Sequence, residues 1–156
     1  MTTEQDKQAK VATSPTNMSR EEIAAMFTRR QEAYDDLDAA ALADDYADEV
    51  VIESPMSGTH GKADAEKNLR AFFDGLMDIK MTFAPPIIDG ERVALIGTAD
   101  GTNMGGFLGL PPSGRSFRVQ TALIYELKGG KIVREQRIYD FTGLLVQVGI
   151  LKAKPA

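Results

Sequence analysis

From residue 19 onward, apolar residues first recur at helical spacing and then at alternate positions. Ile23, Met26, Phe27, Tyr34 and Leu37 lie three or four residues apart or at multiples of it, which places them along one stripe of a helix. Ser19, with Glu22 three residues later, forms a capping box that can satisfy the first free N–H groups of that helix. Asp38 is placed to cap a short second helix running through Leu42 and Tyr46. Val50, Val51 and Ile52 read as a strand stopped by Ser54-Pro55, and Pro55 to Gly61 as a loop. Ala65, Leu69, Phe72, Phe73 and Leu76 then mark a third amphipathic helix.

Beyond residue 78 the period is two. Ile79 to Ile88 reads as a strand that Pro85-Pro86 confines to an edge or a bulge. Asp89-Gly90 is a hairpin signal, Arg92 to Thr102 and Phe117 to Leu127 are further strands, and Gly129-Gly130 makes a second tight turn. Ile132 to Phe141 is the last strand, and Gly143 to Leu151 is an apolar tail expected to pack as a short helix. Helices followed by a four-strand meander argue for an α+β domain. A long twisted sheet curls, and helices laid on its concave face leave a tapering apolar interior, a usual place for a small molecule. Residues 19–151 are read as that single domain, with 1–18 and 152–156 as polar tails and the first of these disordered.

Composition narrows the chemistry. There is no cysteine, so disulfides, thiolate metal sites and cysteine nucleophiles are excluded. His60 is the only histidine, which leaves no multi-histidine metal site. The net charge of −5 with scattered basic residues offers no face for nucleic acid. No apolar run approaches the roughly 20 residues of a membrane span, and the N-terminus lacks the apolar core of a secretory signal, so a cytoplasmic protein is expected.

Gly101 to Gly114, reading GTNMGGFLGLPPSG, is similar to the GTHxGxFxGxPPTG stretch of SnoaL-like polyketide cyclases. Gly130-Lys131-Ile132, Asp140, Gly143-Leu144-Leu145 and Gln147-Val148-Gly149 resemble the same family's GKI…D…GLLxQLG ending. The likeness runs from about Glu21 to Gly149. It implies the cone-shaped nuclear-transport-factor-like fold, with three helices against a curved antiparallel sheet around a hydrophobic pocket, usually in a homodimer. It further implies acid–base ring closure of a polyketide ester without a cofactor.

Asp140 stands where the family carries its acid–base aspartate. On the residues alone, Asp140 shares a period-two face with Ile132 and Ile138, and an inward carboxylate there would be desolvated and able to exchange protons near neutral pH. Equally, it can cap the turn through Thr142 and Gly143. Asp100 interrupts an apolar strand; in the related limonene epoxide hydrolases a strand aspartate in this neighbourhood pairs with one in the last strand, which makes a hydrolase using Asp100 and Asp140 the rival enzyme. Here Thr98 stands where their bridging arginine would be. Leu123 and Tyr125 replace the family's Asp-x-His pair and Asn103 its loop histidine, so Tyr125 becomes a candidate phenolic donor. Tyr34, His60, Phe72, Asn103, Phe107, Leu110 and Leu123 complete the candidate pocket, with Phe107 to Leu110 at its mouth. The expected function is cofactor-free cyclase, isomerase or lyase chemistry on a hydrophobic carbonyl compound. A non-catalytic binding dimer is the alternative from another class.

Overall fold

The computed structural model describes residues 17–106 and 109–152, so the two tails and the loop residues Phe107 and Leu108 lie outside it, apart from Asn17, Met18 and Lys152. Helix α1 (Arg20–Asp35) begins where the capping box sets it, with the Glu22 amide donating to Ser19 Oγ at 3.1 Å. Helix α2 (Ala39–Asp44) is capped by Asp38, whose carboxylate accepts from the Ala41 amide at 3.0 Å. Strand β1 (Tyr46–Ser54) is followed by β2 (Gly58–His60), which forms inside the segment expected as a loop, and by α3 (Lys62–Gly75).

The strand expected over Ile79 to Ile88 is divided into β3 (Lys80–Phe83) and β4 (Ile87–Asp89). Pro85 and Pro86 have no N–H to give a ladder, and both pieces pair instead with β5 (Arg92–Thr102). Strands β6 (Ser116–Lys128) and β7 (Lys131–Tyr139) are joined through Gly129 and Gly130, both at positive φ (60° and 77°), as a right-twisting two-residue hairpin requires. Helix α4 (Phe141–Gln147) closes the chain.

The sheet runs β2-β1-β7-β6-β5-β3, with β4 also on β5, and it is curved and unclosed. It is mixed rather than wholly antiparallel, because β1 joins β7 in parallel after the chain has crossed the helices. Residues from both layers make one core, in which Ile23, Leu42, Ile52, Leu76, Ile132 and Val148 are wholly buried. Tyr34 of α1 meets Phe73 of α3 and Phe83 of β3 edge-on, with ring centroids 6.3 and 6.0 Å apart. These contacts bind the helices to the concave face but do not fill it.

Candidate functional site

Between α1, α3 and the inner sheet face lies a cavity of about 120 Å³. Most of its wall is apolar: Leu69 and Phe72 from α3, Met81, Ala99, and Phe117, Val119 and Leu123 from β6. The polar part of the wall consists of Ser54, Ser57, Asn68 and Thr121, two phenols (Tyr34 and Tyr139), and the guanidinium of Arg137. Among the described residues, no carboxylate and no imidazole lines it.

Arg137 and Tyr139 face inward because β7 is bulged. Leu127 pairs with Ile132 and Glu126 with Arg134, so Val133 is an extra residue on β7 opposite no partner. A one-residue insertion reverses the faces of everything that follows. Ile132 is buried, but after the bulge Glu135, Arg137 and Tyr139 point in, while Ile138 is 53% exposed. Strict alternation from Ile132 would put Ile138 and Asp140 inside, and the bulge is why that expectation does not hold.

Behind the cavity is a buried polar cluster built on Glu135, which has no exposed surface. Its carboxylate accepts from Tyr46 Oη at 2.9 Å and from Arg137 Nε at 2.6 Å, and Arg30 Nη2 stands 3.7 Å away. Arg137 Nη2 also donates to Tyr46 Oη at 3.4 Å. Arg30 is 1% exposed; its Nη1 donates to Asp45 Oδ2 and to the Leu42 carbonyl, each at 2.9 Å. Its guanidinium is also close to the rings of Tyr46 and Tyr125, 5.5 and 5.6 Å from their centroids. Arg29 pairs with the other oxygen of Asp45 at 2.9 Å. Three guanidiniums thus share two carboxylates.

These neighbours set the ionisation states. Burial works to raise the Glu135 pKa, but Arg137 and Arg30 outweigh it and hold the carboxyl below its ordinary range, as the anion. Burial also works against the Arg137 cation, and Glu135 with Tyr46 reverses that, so the guanidinium stays charged. Tyr34 and Tyr139 are raised, first by burial, and remain neutral hydroxyl donors. His60 lies on the same inner face, paired to Ile52 of β1, which in turn pairs with Glu135. Its Nδ1 is 3.4 Å from Ser57 Oγ, its buried Nε2 has no hydrogen-bond partner among the described residues, and burial followed by Arg137 pushes its pKa down. At neutral pH it is an uncharged base.

Tyr34, Phe72 and Leu123 line the cavity as the sequence suggests. His60 reaches it through Ser57. Asp140 does not line it: the residue is exposed and caps α4, accepting from the Gly143 amide at 2.8 Å. Asp100 is on the outer sheet face, paired to Arg118 at 2.5 Å, so Asp100 and Asp140 form no inward pair. Tyr125 is wholly buried, its ring edge-on to Phe27 at 4.9 Å and 5.6 Å from the Arg30 guanidinium, and it does not line the cavity. Asn103 is buried in its own loop, donating to the Pro111 carbonyl at 3.0 Å and to Ser113 Oγ at 3.3 Å. Leu110 is half-buried away from the wall, and Phe107 is outside the described residues. Sequence reasoning missed Arg30, Glu135, Arg137 and Tyr139. Arg30 was visible as a charge on the apolar stripe between Phe27 and Tyr34; the other three were hidden by the bulge.

Such a cavity can hold an apolar molecule and present a cation and hydroxyl donors to an oxygen that carries negative charge. Among solved structures, TsrD from Streptomyces laurentii superposes with a TM-score of 0.75 at 23% identity, over 86% of this chain and 99% of its own. AclR, a candidate hydroxylase from Streptomyces galilaeus, gives a TM-score of 0.75 at 23% identity over 88% and 87%. IdmH, a candidate polyketide cyclase from Streptomyces antibioticus, gives 0.67 at 23% identity over 80% and 96%. At this identity the likeness is one of fold, the nuclear-transport-factor-like cone. No curated protein matches the chain in sequence. Residues 19–148, nearly the whole described domain, match the family described as SnoaL-like polyketide cyclase, and the chain belongs to that family.

Proposed function

We propose that the protein carries out cyclase-type chemistry on a hydrophobic, polyketide-like carbonyl compound, without a cofactor, inside this cavity. The observation that carries the reading is an apolar cavity whose one charged wall group, among the described residues, is a guanidinium set among phenols and hydroxyls. A proton between two carbonyls is acidic enough for a neutral imidazole to remove when the enolate is stabilised where it forms. His60 is the base in this proposal and the Ser57 hydroxyl its link to the cavity. The proton passes through Ser57 to His60 and the electron pair moves onto the carbonyl oxygen facing Arg137; the enolate carbon then adds to a second carbonyl of the same molecule, whose C=O π bond opens to an alkoxide that takes the proton back from His60, or the enolate is reprotonated at another carbon. Asp140, capping α4, is not assigned this step.

A second copy is proposed to pack on the outer sheet face. Ile96 and Ile138, each 53% exposed, lie in one row there with Ala122 between them. The site needs nothing from that copy, and a cytoplasmic location is proposed with it.

The test is exchange of the proton between the two carbonyls of a 1,3-diketone, followed by NMR in deuterated water. Catalysed exchange that falls by about 10²–10⁴-fold in His60→Gln and Ser57→Ala supports the reading. Exchange no faster than in buffer alone refutes it. That no described residue puts a carboxylate on the wall favours one other reading, a module that holds its ligand unchanged; binding of the diketone without exchange would establish that.

A further inference from the structure

Arg137 uses one edge of its guanidinium for the buried cluster and leaves another free. Nε donates to Glu135, and one N–H of Nη2 donates to Tyr46 Oη. A guanidinium carries five N–H groups in a fixed planar fork. Among the described residues three of them therefore stay outside these bonds, two on Nη1 and one on Nη2. One from each nitrogen run parallel, side by side, along the end of the group. Nη1 is not sealed in protein, and the inward-pointing side chain lines the cavity. Leu123, its cross-strand neighbour on β6, stands beside it on the same wall. Such an edge holds two acceptors at once when they are coplanar and turned the same way.

Charge decides what kind of acceptor suits it. Arg30 and Arg137 are matched within the cluster by Asp45 and Glu135, and Arg29, 55% exposed, is screened by water. A carboxylate would bring a further anion into a balanced, largely dehydrated site, whereas neutral carbonyl oxygens need no counter-charge. We propose that the cavity selects a neutral 1,3-dicarbonyl compound folded so that both carbonyl oxygens point the same way, and that the free edge of Arg137 grips the two together. This rests on the cavity being the site of function, as proposed above, and adds the ligand's conformation and the residue that selects it. The grip also suits the chemistry. Loss of the proton between the carbonyls, through Ser57 to His60, spreads the electron pair over both oxygens, and the imidazolium formed keeps the total charge unchanged. Each oxygen then accepts a charge-assisted hydrogen bond, so Arg137 holds the enolate more tightly than the diketone.

The probes are two diones whose central carbon carries two methyl groups, so that neither ionises there. In 3,3-dimethylpentane-2,4-dione the open chain can turn both oxygens to one side; in 2,2-dimethylcyclohexane-1,3-dione the ring holds them apart. The one-oxygen 2,2-dimethylcyclohexanone and the carboxylate 2,2-dimethylbutyrate complete the set, and dissociation constants come from NMR titration at neutral pH. On the wild-type protein the open-chain dione should bind at least about fivefold more tightly than the cyclic one, the effect of a second hydrogen bond to a charged group. The cyclic dione should match the monoketone within about twofold. Arg137→Lys keeps the charge but replaces the planar fork by a point donor, and should bring the two diones within about twofold of each other. Equal affinity of the two diones for the wild-type protein, which needs no variant to fold, overturns the inference and leaves the cavity reading standing. A preference that survives in Arg137→Lys does the same. Tighter binding of 2,2-dimethylbutyrate than of the open-chain dione overturns the assignment to a neutral dicarbonyl. If none of the four compounds binds, the inference and the cavity reading fall together.

Discussion

Replacing Glu135 by glutamine tests the buried cluster with almost no change in volume. The wild-type carboxylate is wholly buried, receives 2.9 and 2.6 Å hydrogen bonds from Tyr46 and Arg137, and lies 3.7 Å from Arg30. The amide keeps the shape but loses the charge and turns one acceptor into a donor facing a guanidinium. Two buried cations then share only Asp45, which Arg29 also engages. Removing one partner of a buried ion pair costs about 3–5 kcal/mol, because the other charge is left desolvated. At roughly 2–4 °C per kcal/mol for a domain of this size, the melting temperature should fall by about 6–20 °C. Urea unfolding followed by circular dichroism measures the loss. The pH dependence supplies a second check. The folded pKa of Glu135 is depressed, so its stabilisation is complete above the unfolded value near 4.5 and is lost as pH falls through the folded value. The gap between wild type and Glu135→Gln should therefore narrow only below about pH 4.5. A loss under 1 kcal/mol at pH 7, or a gap that closes near neutrality, would refute the view that this carboxylate holds Arg137 and Arg30.

Asp140→Ala should cost about 1 kcal/mol as the loss of a helix cap, while Asp140→Asn, which caps as well, stays within about 0.5 kcal/mol. Exchange activity of the Asn variant should remain within a few-fold of wild type, and a loss of about 10²-fold or more would return the acid–base role to Asp140. Gly97→Ala should destabilise by about 1–3 kcal/mol or prevent folding, because a Cβ there would fall 1.9 Å from the Thr82 carbonyl oxygen across the β3–β5 pair. Thermal melting checks it, and an unchanged midpoint would mean that β3 does not pack against β5 this closely.

Local patterning carried most of the architecture. Ser19 and Asp38 cap α1 and α2 because a short side-chain oxygen before an apolar stripe has few better uses, and Gly129-Gly130 turns the β6–β7 hairpin because two successive residues need positive φ. The residues that place Tyr34, Phe72 and Leu123 on the cavity wall obey the same short-range periods. The chemistry was decided elsewhere. Val133 is an ordinary strand residue, and nothing in its neighbours says that β6 leaves it unpaired, since the bulge arises where β7 must pair with β6 on one side and with the returning β1 on the other. That single insertion turns Asp140 out to cap a helix and brings Glu135, Arg137 and Tyr139 in. Arg30 and Asp45, 15 residues apart, and Tyr46 and Glu135, 89 apart, become one cluster only when the helices close over the sheet. The sequence determined which segments are helix, strand and turn, because those depend on nearest neighbours. The tertiary structure decided which charges share the interior, because that depends on the register of strands far apart in the chain.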